Sequence, residues 1–222
     1  MAQLARNWMF STLSVNSILS ENKGLHSRIL LEQIPSDGDN LHLFISAMKH
    51  GKRIKVEYQK YQSDEVKIWV LEPYFVKLFK KRWYAIVKHV EPDAALFTLA
   101  FDRIKSLEIL DETYVYDASF DPAGWFDACY GIVRNPEVPI QRVVIRAYGR
   151  EVHYLRDLPF HPSQKEVEET SAYSDFELFL SPTPDFYTPL VSRGPAIKIL
   201  EPQWLADEIK RLHMEAFQLY TL

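Results

Sequence analysis

The stretch "KKRWYAIVKHVEPDAALFTLAFDRIKSLEI", Lys80 to Ile109, decides the fold prediction. Its apolar residues alternate with polar ones in short runs, a period of two that is typical of β-strands. The second apolar run ends in Asp102 and Arg103. Counted by twos, Arg103 shares a strand face with Phe101 and Asp102 shares the other face with Ala100, so one charge follows an apolar row. Either the two charges form weak surface pairs, or Arg103 lies in a groove and is free to meet an anion.

The same alternation extends to both sides of this stretch and predicts five strands. They start from Arg53 and continue through "VKIWVLEP", "YFVKLF", "WYAIVKHV" and "LFTLAFDRI". So many sequential strands, so closely spaced, predict a small curved sheet that closes into a barrel, because closure removes exposed strand edges. No glycine occurs between Lys52 and Ala123, which favours loops such as "KKR" over tight Asn-Gly hairpin turns.

A helix precedes these strands. In "NLHLFISAMKHG" four apolar residues share one helical face, Asp39 or Asn40 is placed to cap its start, and Gly51 is placed to end it. The four apolar residues are Leu41, Phe44, Ile45 and Met48.

The last third of the chain has a different order of elements. From "RVVIRAY" to "AIKILEP" the pattern indicates strand, helix, strand, strand, helix and strand, followed by a long amphipathic helix in "QWLADEIKRLHMEAFQLY". That order is typical of a ferredoxin-like α/β unit. Pro189 weakens the second of these helices, because proline removes a backbone hydrogen bond. The predicted class is α+β, with connecting helices over 1–38, a barrel domain over 39–118, a linker over 119–141 and an extension over 142–222.

Composition narrows the class of protein. The chain has 222 residues, of which 47% are hydrophobic, so it can bury a substantial core. No apolar run reaches the length of a membrane span and the N-terminus lacks a signal-peptide pattern, so we expect no membrane association and a cytoplasmic location. Cys129 is the only cysteine, which excludes an internal disulfide. A net charge of −4 argues against attraction of duplex nucleic acid to the whole surface but allows a local basic patch.

Motifs for catalysis are lacking in the sequence. It contains no phosphate-binding loop, no dinucleotide fingerprint, no zinc-protease motif and no nucleophile elbow. We therefore expect a protein that is not an enzyme and that uses no metal and no cofactor.

Several motifs together resemble the WYL domain of bacterial transcriptional regulators. The Trp-Tyr-Leu triplet of that family is Trp83, Tyr84 and Ala85 here, so its third position departs. The resemblance includes "FISAMKHGKRIKVEY", "EPY", "AFDRIKSLEI" and "CYGIV", and it continues through "YLRDLPFHPSQ" and "GPAIKILEPQWLADEI". It implies an SH3-like or Sm-like barrel followed by a ferredoxin-like C-terminal extension. It also implies that the usual N-terminal helix-turn-helix is missing, so that duplex DNA would be bound only through a domain outside this chain.

The resemblance also implies a ligand site in the barrel. Tyr58 and Arg103 match polar positions of the family, Lys60 stands at a third, and Phe97 stands where many members have a second arginine. Further cations lie nearby at Lys80, Lys81 and Arg82. Trp83 is expected in the core rather than in the site, because an indole buries a large area.

Two functions remain open at this point. The first is a regulatory module that senses a nucleotide or single-stranded nucleic acid in the barrel groove and passes the signal through the extension or a homodimer interface. The second is a non-enzymatic module for protein interaction or dimerisation that binds no small ligand. Arg103 separates the two: a sensor needs this arginine accessible and unpaired, whereas a scaffold can hold it in a closed salt bridge.

Overall fold

The computed structural model describes residues 38–91 and 93–220, which form a mixed α+β structure with two antiparallel sheets. The predicted connecting helices over 1–38 lie outside the described residues except for Gly38. The first part contains helix α1 (Gly38–His50) and five strands: β1 (Lys52–Gln59), β2 (Val66–Phe79), β3 (Arg82–His89), β4 (Leu96–Ala100) and β5 (Ile104–Thr113). The second part contains β6 (Gln141–Tyr148), α2 (Glu151–Asp157), β7 (Lys165–Glu169), β8 (Tyr173–Leu180), α3 (Pro184–Val191), β9 (Ile197–Glu201) and α4 (Gln203–Gln218).

The first sheet has the strand order β4-β3-β2-β1-β5, so β4 and β5 are its two edges. They are consecutive in the chain and joined only by a 3₁₀ turn, Phe101–Arg103. A flat sheet of five strands would hold its edges about 19 Å apart, since neighbouring strands are about 4.8 Å apart. Four Cα–Cα steps of about 3.8 Å, from Ala100 to Ile104, reach at most about 15 Å. The sheet is therefore curved, although no hydrogen-bonded pairing joins β4 to β5 in the described residues.

Helix α1 covers the core of this sheet. Phe44 and Ala47 are fully buried, and the Phe44 ring meets the Phe101 ring edge-on at 5.4 Å between centroids. The prediction of one apolar face is wrong for Ile45, which is 46% exposed. The capping prediction is also wrong: the helix begins at Gly38, so Asp39 and Asn40 lie in its first turn. Gly51 follows the helix with a φ of +60°, a backbone conformation that glycine adopts without strain.

The structure divides the strands differently from the sequence prediction. The stretches "VKIWVLEP" and "YFVKLF", predicted as two strands, form the single strand β2, whose register shifts between Pro73 and Phe75. The predicted strand "LFTLAFDRI" ends at Ala100, and a separate strand begins at Ile104. Arg103 lies in the turn between them, so the count by twos that placed it on a strand face does not apply.

The connection of β2 to β3 is a tight turn, which corrects the prediction of a longer loop. Phe79 pairs with Arg82, so only Lys80 and Lys81 form the turn. Their φ angles are 47° and 64°, the left-handed values that a two-residue hairpin turn requires. Lysine adopts this conformation only at a cost of about 1 to 2 kcal/mol per residue, which the pairing of the two strands offsets.

The second sheet has the order β7-β8-β6-β9 and is antiparallel at every pairing. Its core combines the sheet with α2, α3 and α4. Ile145, Leu178, Phe186 and Leu205 are all fully buried in it. Helix α3 forms as predicted in spite of Pro189, which lies inside it.

Residues between the two sheets form the linker, and its centre is bonded to both parts. The Lys77 ammonium on β2 donates to the carbonyl oxygen of Gly131 at 2.6 Å. The Asp185 carboxylate at the start of α3 accepts the backbone N–H groups of Ile132 and Val133 at 2.8 and 3.0 Å. A Cβ at Gly131 would lie 2.3 Å from the Asp185 carboxylate and 2.6 Å from the Phe79 ring, so only glycine fits here.

Candidate functional site

A cleft of about 360 Å³ lies between the curved sheet and the linker. The sheet side includes Tyr58, Tyr84, Phe97 and Arg103, and the linker side includes Trp125 and Ile132 to Arg134. No aspartate or glutamate is among the residues that line it. Two arginines and four aromatic rings therefore surround a space without a carboxylate, an environment that attracts an anion.

Arg103 enters this cleft because the 3₁₀ turn directs the chain away from the sheet. Its neighbours Phe101 and Ile104 are buried and hold the turn in place. Its guanidinium stacks on the Tyr61 ring, with the guanidinium carbon 4.1 Å from the ring centroid. Its Nε is buried and has no hydrogen-bond partner. A buried donor without a partner is uncommon and costs about 1 to 3 kcal/mol.

The adjacent Asp102 forms an ion pair with Arg82, not with Arg103. Its carboxylate accepts the Tyr61 hydroxyl at 2.9 Å and lies 3.4 Å from Nη1 of Arg82. Arg103 has no carboxylate partner anywhere in residues 38–91 and 93–220. Burial lowers the pKa of Arg103, and the hydroxyls of Tyr58 and Tyr61 raise this pKa by more, so the net shift is upward and the side chain stays charged.

The aromatic side chains of the sheet have limited free surface. Tyr58 is 4% exposed and stacks on Trp69 with 5.7 Å between ring centroids. Phe97 stacks on His89 at 4.7 Å and meets Trp69 edge-on at 5.9 Å. Tyr58 is therefore too deeply buried for a base to stack on it, and Phe97 has one face covered by His89, so a bound base could stack on at most its other face.

The other predicted site residues do not line the cleft. Lys60 is exposed beyond the end of β1, and Lys81 is an exposed turn residue. Lys80 extends over the rings of Phe79 and Tyr130, at 5.3 and 5.5 Å from their centroids. Arg82 pairs with Asp102, and neither residue lines the cleft.

The three motif residues separate into core and cleft. Trp83 packs against the core of the first sheet, as expected, and Ala85 is fully buried there. Tyr84 lines the cleft, and burial raises the pKa of its hydroxyl, so that it stays protonated at neutral pH.

Arg134 and Trp125 are cleft residues that the sequence reasoning did not identify. The Arg134 guanidinium lies 3.9 Å from the centroid of the Trp125 ring, and the side chain is exposed. A signal was present, because Arg134 directly follows the "CYGIV" motif. The linker was interpreted only as a connection, and its position against the sheet depends on contacts distant in sequence.

Comparison with known proteins identifies the first part of the chain. Residues 39–109 match the family model described as the WYL domain. The chain contains a WYL domain. The match covers α1 and most of the first sheet, so the cleft is formed by the WYL domain together with the linker that follows it. The helix-turn-helix prediction falls on residues outside the described range.

Two solved structures resemble the chain at low sequence identity. One is the proteasome accessory factor B/C (PafBC) of Arthrobacter aurescens, with 16% identity, a TM-score of 0.39, and coverage of 82% of this chain and 27% of that chain. The other is a CRISPR Cas-related protein, with 16% identity, a TM-score of 0.53, and coverage of 82% of this chain and 52% of that chain. The chain thus spans about a quarter of the length of the first structure and about half of the length of the second. Among curated proteins none matched.

A larger cavity, of about 670 Å³, lies between β9 and α4. Ile197, Ile199 and Ile209 line it, and so does Met214, which is 53% exposed. Its mainly apolar lining suits contact with protein, and we favour the smaller cleft as the ligand site because of its arginines. In residues 38–91 and 93–220 there is no group of three His, Cys, Asp or Glu side chains that could hold a metal ion. Within that same range no helix has the length and apolar character to cross a membrane.

Proposed function

We propose that this chain is a ligand-sensing regulatory module of a bacterial WYL-type transcriptional regulator, and that it binds a nucleotide or single-stranded nucleic acid in the cleft. The observation that carries the proposal is the state of Arg103. It is charged, it has a buried Nε without a hydrogen-bond partner, and its neighbour Asp102 is paired with other residues. A phosphate in the cleft would give the charged guanidinium of Arg103 the anionic partner that it lacks, and the planar guanidinium is suited to phosphate.

The rest of the cleft is consistent with such a ligand. Aromatic rings offer stacking surfaces that accept any base, each worth about 1 to 3 kcal/mol. The absence of carboxylates from the lining leaves the positive charge of Arg103 and Arg134 uncompensated. A cleft of about 360 Å³ is near the lower end of the sizes of ligand pockets, about 300 to 1,000 Å³, which favours one nucleotide unit over a long strand.

The architecture supports the finer fold assignments that belong to this proposal. The strand order of the first sheet and its 3₁₀ turn between β4 and β5 support an SH3-like or Sm-like barrel. In the second sheet the strands, numbered in chain order, lie as 4-1-3-2, which supports a ferredoxin-like extension. We propose that the chain acts in the cytoplasm, catalyses no reaction, and passes the ligand signal to the extension.

Fluorescence anisotropy with a labelled short single-stranded oligonucleotide tests the proposal, with nucleoside monophosphates as competitors. Wild type should bind and Arg103→Ala should weaken binding by at least about tenfold, because a hydrogen bond to a charged group contributes about 1.5 to 3 kcal/mol. The matched control is Arg150→Ala, which removes the same charge from an exposed position outside the cleft. Equal binding by wild type and both variants would show that the ligand does not bind in this cleft.

The second candidate is an interaction module without a small ligand, in which two copies form a homodimer. The exposed apolar side chains beside the cavity between β9 and α4 favour it, Met214 among them. Sedimentation velocity over a concentration series decides: a dimer that Met214→Lys dissociates, together with no oligonucleotide binding, would establish this candidate instead.

A further inference from the structure

The two sides of the cleft belong to separate parts of the chain. Arg103 is held by the sheet, whereas Arg134 is held by the linker, where it lies over Trp125. Arg134 is exposed, lines the cleft, and pairs with no carboxylate in the described part of the chain. The linker thus brings a second guanidinium to the space that Arg103 enters.

The backbone next to Arg134 is bonded to the extension. The N–H groups of Ile132 and Val133 both donate to one oxygen of Asp185, at 2.8 and 3.0 Å. The Thr183 hydroxyl lies 3.5 Å from the carbonyl oxygen of Val133 and 2.5 Å from the second Asp185 oxygen. A ligand that holds the Arg134 side chain therefore also restrains a segment that is hydrogen-bonded to the first turn of α3.

We propose that Arg134 is a second ligand-binding arginine, which contacts a different anionic oxygen from the one held by Arg103. The ligand then joins the sheet to the linker and holds the linker against α3. This inference rests on the proposed function and specifies its ligand as a phosphorylated nucleotide unit, either free or within a single strand. Ligand binding in the cleft is in this way coupled to the extension through three consecutive residues, Ile132 to Arg134.

The alternative for Arg134 is a solvated side chain that merely covers Trp125. Contacts of this kind occur about once per 70 to 80 residues in proteins, so the stacking alone does not imply a ligand. The two interpretations differ in what Arg134→Ala does to binding and to the linker. If Arg134 contacts the ligand, Arg134→Ala lowers the affinity and its salt dependence. If Arg134 only covers Trp125, the substitution changes neither.

The experiment uses the full chain, with Arg134→Ala, Arg103→Ala and the control Arg150→Ala. The probes are a short single-stranded oligonucleotide and adenosine monophosphate, which distinguish a strand from a free nucleotide as the source of the phosphate. Anisotropy and competition across a salt series give affinities and their salt slopes. Hydrogen exchange with and without saturating probe reports on the amides of Ile132 and Val133.

We expect Arg134→Ala to lower oligonucleotide affinity about tenfold and to reduce the salt slope by about 0.7, the value of one lost phosphate contact on a single strand. Saturating probe should slow exchange of the Ile132 and Val133 amides in wild type and in Arg150→Ala but not in Arg134→Ala. If Arg103→Ala weakens binding while Arg134→Ala behaves like Arg150→Ala, the proposed function stands and this inference is overturned. If wild type binds neither probe, both are overturned.

Discussion

Gly131→Ala provides a quantitative test of how the linker is held between the two parts. The added Cβ would lie 2.3 Å from an Asp185 carboxylate oxygen and 2.6 and 2.7 Å from two carbons of the Phe79 ring. Real Cβ atoms do not approach other atoms so closely, so the linker must move, and the two N–H bonds to Asp185 must lengthen. Overpacking costs about 1 to 3 kcal/mol. Weakening of hydrogen bonds to a charged acceptor adds about 1 kcal/mol or more.

We therefore expect Gly131→Ala to lower the free energy of unfolding by about 2 to 4 kcal/mol. Urea unfolding followed by circular dichroism measures this change. Gly124→Ala is the matched control, because the three atoms nearest to a Cβ there all belong to the exposed side chain of Asp121, which can move at the cost of one exposed hydrogen bond to the Ala123 N–H. We expect the control to lose less than about 1 kcal/mol. Equal stability of the two variants would refute the close approach of the linker to α3 and Phe79.

Two further predictions concern the folded state. Burial lowers the pKa of His161, whose ring bonds to the carbonyl oxygen of Asp127 and to Ser163, so the neutral form stabilises the fold. This contribution to stability is complete above the unfolded pKa of 6.5 and is lost as pH falls through that value towards the lower folded pKa. The free energy of unfolding, measured between about pH 5 and pH 8, should therefore fall more steeply with decreasing pH in wild type than in His161→Asn. Lys81→Gly should raise stability by about 0.5 to 1 kcal/mol, because it relieves a left-handed lysine with a φ of 64° at the cost of glycine's extra chain entropy. A thermal midpoint at or below that of wild type would show that the turn is not strained.

The strands could be predicted from the sequence to the extent that they alternate. β1 and β3 bury alternate or continuous apolar residues, whereas the long strand β2 was predicted as two strands that meet between Pro73 and Tyr74. The 3₁₀ turn at Phe101–Arg103 was not predicted, since three residues are too few to show a period. That turn is what places Arg103 in the cleft.

The site was predicted only in part, for a physical reason. Tyr58 on β1 pairs with Ile104 on β5, directly after Arg103, and Phe97 lies on β4, the strand before the same turn, so knowledge of the curved sheet brings the three together. Trp125 and Arg134 join them through Lys77 and Asp185, contacts between residues about fifty positions apart that no local pattern contains. Lys60 was assigned to the site from the family resemblance, and Lys80 and Lys81 from their nearness in sequence, but none of the three lines the cleft.

Binding of a labelled short single-stranded oligonucleotide to the wild-type chain, measured over a salt series, tests the central claim most directly. About two phosphate contacts, from Arg103 and Arg134, predict a slope of log affinity against log salt near −1.4. Arg103→Ala should weaken binding and flatten that slope by about 0.7, while its thermal midpoint stays within a few degrees of wild type. No binding at low salt, or binding that neither salt nor Arg103→Ala changes, would contradict the claim that this cleft recognises a phosphate-bearing ligand.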